Sequence, residues 1–485
     1  MGNELRIGWS EVDITPENCV VELSGQYYQR VSEGIHSRIK AVALALSSGD
    51  TQYVSVCIDV VSIPEAVLNQ VRQVVCSRCA ELRPGCITMN AIHTHNAPYL
   101  TPGGLFRDWT PISEGVLKPE DYIEFLVEKL SEVILAAWSK RAAGGIRRAF
   151  GEARIGHCRR AVYWDRTAEM YGDTTRDDFS GMESGEDSGV EMLFTYDKSG
   201  VPTGMVVNVA CPSQVMESTY VISSDYMGAT RERLKARFGD GFTTLCQISA
   251  AGCQSPRDLT RAYKTEPDFW HADGVEELSK RLDEAIGKAH DAIVDSPIDY
   301  APVMKHFSKR VYLPLRRASY LDYLEAKKNL VELEAKLPVK EAFLDFCRET
   351  KENEKISGRP GPYDSKLHHF VLIKNNEAVV KRYEIQDETP NYDFEMQVLR
   401  LGDIAIVTNP FELFLDFGQM IKARAASTQT FVVQLAAGSG AGYLPTKRAE
   451  RLGGYGGLII NGKVGSDGGM KLVDEAVSAI DSLFS

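Results

Sequence analysis

Ile87-Thr88-Met89-Asn90-Ala91-Ile92-His93-Thr94-His95-Asn96-Ala97-Pro98 is a mostly apolar run that ends in two histidines, an asparagine and a proline. Residues 87–92 read as a buried strand, and two further elements lie just upstream. Residues 53–59 have strand character, while residues 64–82 place Leu68, Val71, Val75 and Leu82 at helical spacing. Strand, helix and strand within about 40 residues imply a right-handed parallel crossover, in which ligands collect at the carboxyl ends of the strands. His93 and His95 stand at that end. Residues two apart in an extended chain share a face, so both rings can serve one metal or catalytic site. The alternative is one hydrogen-bonded core histidine and one solvated loop histidine.

Working outward, residues 5–14 and an alternating segment ending in 40–46 read as strands. The long loop between them contains Ser24-Gly25-Gln26-Tyr27-Tyr28-Gln29-Arg30, and loops of that length are usually functional or disordered. Downstream, a Pro- and Gly-rich loop covers 96–116 and an amphipathic helix covers 119–141. A strand over 147–157 then leads into Cys158-Arg159-Arg160. The acidic, Gly/Ser-rich stretch 179–189 reads as a solvated surface loop. A short apolar strand at 205–210 ends in Cys211-Pro212-Ser213-Gln214, and Ser223-Ser224-Asp225 caps a helix over 226–238. The strand 243–248 runs into Gly252-Cys253-Gln254-Ser255-Pro256. Small residues there permit close backbone approach, as a nucleophile-bearing or anion-holding turn requires, although Ser255 also suits a simple turn serine. A helix follows over 274–295.

Residues 316–355 are charged and helical in period, a hairpin broken at Pro338 that reads as an inserted arm over the site or at an oligomer contact. Residues 366–408 return to strands, and the last of these ends in Asn409-Pro410-Phe411-Glu412. A helix to about 425, a strand over 430–435, the glycine-rich segments around Tyr443 and Tyr455, and a helix over 470–483 complete the chain. His93, His95, Cys211, Ser255, Glu412 and Tyr443 each follow a strand, so one shared sheet would gather them in one cleft. The expected fold is α/β, with mixed β-sheets flanked by helices, as a single catalytic domain over 1–485 with the 316–355 insertion within it.

Composition narrows the function. The 485 residues are 44% hydrophobic and 25% charged with 40 glycines, ordinary for a soluble α/β enzyme. A net charge of −12 argues against a nucleic-acid or anionic-membrane partner. No apolar run reaches the ~20 residues that span a bilayer, and the first residues have no signal-peptide pattern, so a cytoplasmic location is expected. The ten cysteines are scattered, and Cys76-Ser77-Arg78-Cys79 lies on a helix without a second pair, which favours reduced thiols over a zinc motif.

Taken together, these residues resemble the neutral (non-lysosomal) ceramidases, which are zinc-dependent amidases. The resemblance spans most of the chain. It rests on Asp13-Ile14-Thr15-Pro16, Gly34-Ile35-His36-Ser37-Arg38, His93-Thr94-His95, Ser223-Ser224-Asp225, Gly252-Cys253-Gln254-Ser255-Pro256, Pro410-Phe411-Glu412 and the pair Tyr443 and Tyr455, in that order. It implies a neutral-ceramidase-like catalytic domain with one Zn2+, for which His93 and Glu412 fall on ligand positions and Tyr443 on the tyrosine that approaches the metal. Ser255 falls on a serine implicated in catalysis. His95, Gly25, Tyr455 and Arg159, with Arg160 as the alternative arginine, fall on positions lining the amide site.

Two departures stand out. Cys211 occupies the place of the second zinc histidine, where a thiolate is a competent ligand, and Cys253 replaces an aspartate. The β-sandwich domain of the ceramidases has no counterpart within these residues. The resulting expectation is a metal-dependent hydrolase that cleaves an amide in a small soluble substrate. The same site could serve an ester or glycosidic bond, or belong to a non-catalytic ligand-binding homologue.

Overall fold

Runs such as Lys40–Ser48 (KAVALALSS) and Thr51–Ile58 (TQYVSVCI) are buried along nearly their whole length, as strands covered on both faces must be. They belong to an eight-stranded mixed sheet in a computed structural model that describes residues 3–26, 29–101, 109–261, 269–354 and 368–485. The strand order is Thr243–Ile248, Pro202–Val209, Gly189–Asp197, Ala142–Glu152, Arg6–Asp13, Lys40–Ser48, Thr51–Ile58 and Ile87–Ala91. The six central strands run antiparallel to their neighbours, and each outermost strand pairs in parallel. Each parallel pair is joined through a helix, Glu65–Arg78 on one side and Asp225–Phe238 on the other, as a parallel connection requires.

A second sheet of four strands has the order Met304–Pro314, Asn391–Leu401, Ile404–Thr408 and Gln429–Val433. One set of buried side chains, including Leu44, Tyr53, Val206, Leu245, Ile406 and Phe431, is shared between the two sheets. The outer strands of the large sheet curl towards each other, so that Asn90 Nδ2 donates to Cys246 O at 3.1 Å. Residues 434–437, just past the last strand of the small sheet, run between those two edges. Gln434 N donates to Ile248 O at 3.0 Å, Ala91 N to Leu435 O at 3.1 Å, and Ala437 N to Met89 O at 3.0 Å. The helix Pro119–Ser139 buries Tyr122, Leu126, Leu130 and Ile134 against the outer face of the large sheet, while Leu415–Arg424 and Ser466–Phe484 pack on the small one.

The α/β class and most elements match the sequence reading, with three corrections. The candidate side chains come from two sheets rather than one shared sheet. Residues 369–385, read as strand, form the helix His369–Ile385, which joins Tyr320–Lys336 and Val339–Glu354 as a third helix of the arm. Its mixed apolar pattern (HFVLIKNNEAVVKRYEI) is resolved by packing, since Phe370 and Ile373 fill a small core with Ala342, Phe343 and Phe346. Ser224 precedes the Asp225–Phe238 helix but makes no capping bond; Asp225 accepts from Tyr226 N instead. Lys355 of the arm, residues 102–108 of the loop beside the site, and Tyr27 and Tyr28 lie outside the described residues.

Candidate active site

The strand Ile87–Ala91 ends and the chain turns sharply at His93, which has φ +66°, a left-handed conformation seldom adopted outside glycine. The turn is held by His93 N donating to Val60 O at 3.0 Å. His93 Nδ1 lies 2.7 Å from Val61 O. A carbonyl only accepts, so Nδ1 carries the hydrogen and Nε2 of the neutral ring is a bare lone pair. That lone pair lies 3.4 Å from Glu412 Oε2 and 3.4 Å from His95 Nε2.

His95 packs edge-on to His93, with ring centroids 4.9 Å apart. Its far side is closed by Gly25, whose φ of +96° suits glycine; a Cβ there would lie 2.3 Å from His95 Cγ. Arg30 fixes the backbone by donating from Nη2 to His95 O and Ser24 O, both at 2.6 Å. On the ring itself, Nε2 faces the Gln214 side-chain nitrogen at 2.7 Å and Nδ1 lies 3.3 Å from Glu217 Oε2. Burial, then the neighbouring His93, holds His95 well below the usual histidine range.

Glu412 and Tyr443 come from segments that follow the strands Ile404–Thr408 and Gln429–Val433 of the small sheet. They stand opposite each other in a two-residue parallel pairing, and Glu412 N donates to Gly442 O at 3.0 Å. Gly252 makes this possible: a Cβ on it would lie 2.4 Å from Glu412 O, and its N–H donates to Leu413 O at 2.7 Å. The small residues before Ser255 thus admit the backbone of 412–413. Buried Arg159 lies beneath, donating to Gln214 Oε1 (3.0 Å), Gly252 O (3.0 Å), Tyr443 OH (3.2 Å) and Tyr171 OH (3.3 Å). Burial pushes the Glu412 carboxyl up, but a protonated His93, with Arg159 and the Tyr443 hydroxyl, holds it below the ordinary carboxylate value. The Tyr443 hydroxyl is driven up by burial and by Glu412, and stays protonated.

His93, His95, Glu412, Tyr443, Gly25 and Tyr455 line one cavity of about 510 Å3, walled by Ile63, Pro64, Pro410 and small residues of 436–442. That size suits a small molecule, for which cavities of about 300–1,000 Å3 are usual. The other expected residues lie outside its lining. Ser255 is fully buried in a two-residue pairing with His157, and its Oγ accepts from Arg257 N at 3.1 Å. Arg160 is spent on Glu183 Oε2 at 2.5 Å and on the carbonyls of Gly453 and Tyr455, so it anchors the loop that carries Tyr455. Cys211 is set back in the core, with Sγ 3.5 Å from both Ile155 O and Pro212 O; burial raises its thiol far above the ordinary value and keeps it protonated.

Gln214 and Glu217 escaped the sequence reading as site residues. Asp225 Oδ2 accepts from Met216 N at 2.8 Å and so holds the segment that carries Gln214 and Glu217. A signal was present: two polar residues, three and six positions past Cys211, in a stretch otherwise buried after a strand.

The donor chemistry can be tested against a divalent zinc ion. His93 Nε2 and Glu412 Oε2, 3.4 Å apart, have the separation of two ligands on one tetrahedral ion with bonds of about 2.0–2.1 Å. The Val61 carbonyl orients the imidazole as outer partners of metal-bound histidines do. Tyr443 adds a third oxygen beside Glu412, so His93, Glu412 and Tyr443 fit such an ion while Cys211 stays outside. Among the described residues, the one group of three His, Cys, Asp or Glu with ligand atoms within 4.8 Å of one another is Asp345, Glu349 and His368 in the helical arm. There His368 Nδ1 accepts from Phe370 N at 3.1 Å, so the neutral ring bears its hydrogen on Nε2, facing Glu349 (3.4 Å) and Asp345 (3.7 Å). With Nδ1 taken, the ring has no lone pair left to ligate, and Nε2 meets the two carboxylates at ion-pair distance without a hydrogen bond.

No family model matches the sequence, and no curated protein matches it. Two solved structures do match the fold. A neutral ceramidase from Pseudomonas aeruginosa aligns with TM-score 0.68 over 99% of this chain and 75% of that one, at 18% identity. A ceramidase complexed with C2 aligns with TM-score 0.68 over 99% and 76%, at 16% identity. The chain therefore has a neutral-ceramidase-like fold.

Proposed function

We propose that the cavity is the active site of a zinc-dependent hydrolase that cleaves an amide bond in a small substrate. The observation that carries this reading is the convergence of His93 Nε2, His95 Nε2 and Glu412 Oε2, at 3.4 Å steps, on the floor of a cavity. With Nδ1 of His93 committed to a carbonyl, the floor presents lone pairs and a carboxylate with no hydrogen between His93 and Glu412 to reconcile them. Such a focus of electron pairs calls for a cation.

His93, Glu412 and Tyr443 would hold the metal, which when bound supplies electrophilic polarisation and makes water acidic near neutral pH. The chain's own groups do the rest. Arg159 donates to the Tyr443 oxygen, leaving the phenol hydrogen free for Glu412 or for an oxygen in the cavity. Tyr455, whose ring lies 5.5 Å from that of Tyr443, offers a second hydroxyl-bearing wall to a carbonyl oxygen. His95 accepts hydrogen bonds at Nε2 beside them. Small apolar walls exclude water from the rest of the substrate.

Elemental analysis of purified protein, paired with a panel of soluble N-acyl amides, esters and glycosides, tests this reading. Near-stoichiometric zinc that His93→Ala abolishes, with turnover of amides, is expected. Absence of metal overturns the zinc assignment. Turnover confined to esters or glycosides overturns the amide assignment, and no turnover at all favours a ligand-binding role.

A further inference from the structure

We infer that Glu65 and Ser439 form a second recognition point in the cavity, one that selects amides carrying an ammonium or hydroxyl group away from the scissile bond and turns away those carrying a carboxylate. This selectivity rests on the hydrolase reading and concerns the substrate class of that same site.

One wall of the cavity begins at Val61, whose carbonyl meets His93 Nδ1, and continues through residues 62–66. An extended chain covers at most about 14 Å between Val61 and Glu65, so the backbone of Glu65 stands within one small molecule's length of the carbonyl that orients His93. Glu65 N donates to Gly438 O at 3.1 Å, and Gly438 N donates to Ile63 O at 3.0 Å, which sets Ser439 beside Glu65. Ser439 is fixed in turn. Its N–H donates to Tyr392 OH at 3.3 Å, and its carbonyl accepts from Lys463 Nζ at 3.0 Å.

Ser439 Oγ lies 3.0 Å from Glu65 Oε2. A carboxylate only accepts, so the hydroxyl's single hydrogen goes to Glu65 and Oγ is left with lone pairs alone. The Arg310 guanidinium holds the Glu65 carboxyl below the ordinary range, so Glu65 is ionised at neutral pH. It does not cancel the charge, because Arg310 Nε also donates to Asp393 Oδ2 at 2.6 Å and one cation serves two carboxylates. Neither Arg310 nor Lys463 lines the cavity. Among the described residues its lining holds no lysine or arginine, and its two carboxylates are Glu412 and Glu65. An acid in the first turn of the helix Glu65–Arg78 also complements the helix dipole, but that role requires neither a place in the cavity wall nor an aligned hydroxyl beside it. A cavity wall that offers acceptors and negative charge favours a donor and repels a second carboxylate.

The test compares kcat and KM of the full-length, zinc-loaded protein on matched soluble amides: N-butanoyl amides of hexylamine, aminohexanol, hexamethylenediamine and aminohexanoic acid, and a second series with the same end groups on the acyl side. In one of the two series, wild type is expected to show a KM for the ammonium and hydroxyl compounds about 10–100-fold below that of the carboxylate compound, with the methyl compound between. Glu65→Gln should raise KM for the ammonium compound about tenfold, keep the methyl compound within about threefold and leave kcat nearly unchanged. Glu65→Lys should make the carboxylate compound the preferred one. Indifference of wild type to the end group in both series overturns the proposal, as does a Glu65→Gln effect equal for the methyl and ammonium compounds. Should the variants not fold, the wild-type ranking decides alone. Failure of the hydrolase reading would instead appear as missing zinc or missing amide turnover, and calorimetric titration of the same amides then reads the end-group preference directly.

Discussion

Gly25 lies against the face of His95 so closely that a β-carbon on it would come within 2.3 Å of the imidazole Cγ and 2.5 Å of Nδ1. Gly25→Ala adds that carbon at a backbone φ of +96°. It should cost about 1–3 kcal/mol through strain and also displace the ring. Thermal unfolding reads the first effect. Turnover reads the second, with an expected loss larger than the stability change explains.

Cys211 tests the ligand set. With its sulfur on two carbonyls in the core, Cys211→Ala should lower stability by about 1–2 kcal/mol and leave zinc content unchanged. A parallel fall of bound zinc would return the sulfur to the metal.

The Arg160–Glu183 pair is fully buried on both sides. Glu183→Ala leaves a guanidinium without its carboxylate and should cost about 3–5 kcal/mol. Because Arg160 also holds the carbonyls of Gly453 and Tyr455, the variant should expose the 453–457 loop to hydrogen exchange before global unfolding.

Asp225 has φ +54°, and burial pushes its carboxyl up to about 6. Folding therefore favours its protonated form. That advantage is complete below the unfolded value near 4 and is lost as pH rises through 6, where the native state must bury a charge. Asp225→Asn should flatten stability between pH 4 and 6, removing a slope worth on the order of 3 kcal/mol in total. Denaturant midpoints across that range check it; an unchanged slope would show that other groups set it.

Much of this arrangement is legible in local sequence. The parallel crossover that delivers His93 follows from the apolar period over 53–92, and the turn at Pro410-Phe411-Glu412 from an acid placed just past a buried strand. Helix 369–385 was not legible, because its register is chosen by Phe343 and Phe346 from another helix. The partition between cavity-lining and buried residues was equally hidden. Arg159 and Arg160 are adjacent and chemically identical, yet one lies under the cavity and the other is consumed by Glu183, a choice made by strand alternation and by distant partners. Glu217 carries no mark in its local sequence, because what buries it is distant: Gln26 donates to its carbonyl and Asp225 accepts from the preceding Met216 N.

The segment 434–437 does more than bring two sheets together. Open sheets expose rows of unpaired N–H and C=O groups along their outermost strands, an invitation to pair with another molecule. Here one short strip is hydrogen-bonded to both outermost strands of the large sheet, donating to Ile248 O on one side and to Met89 O on the other, and accepting from Ala91 N. The strip acts as a seal. Substitutions that loosen it, such as proline at Gln434 or Ala437, whose N–H groups make two of those bonds, should announce themselves first as self-association of the chain. Covering of the exposed edges, as well as the joining of the two sheets, rests on the same four residues.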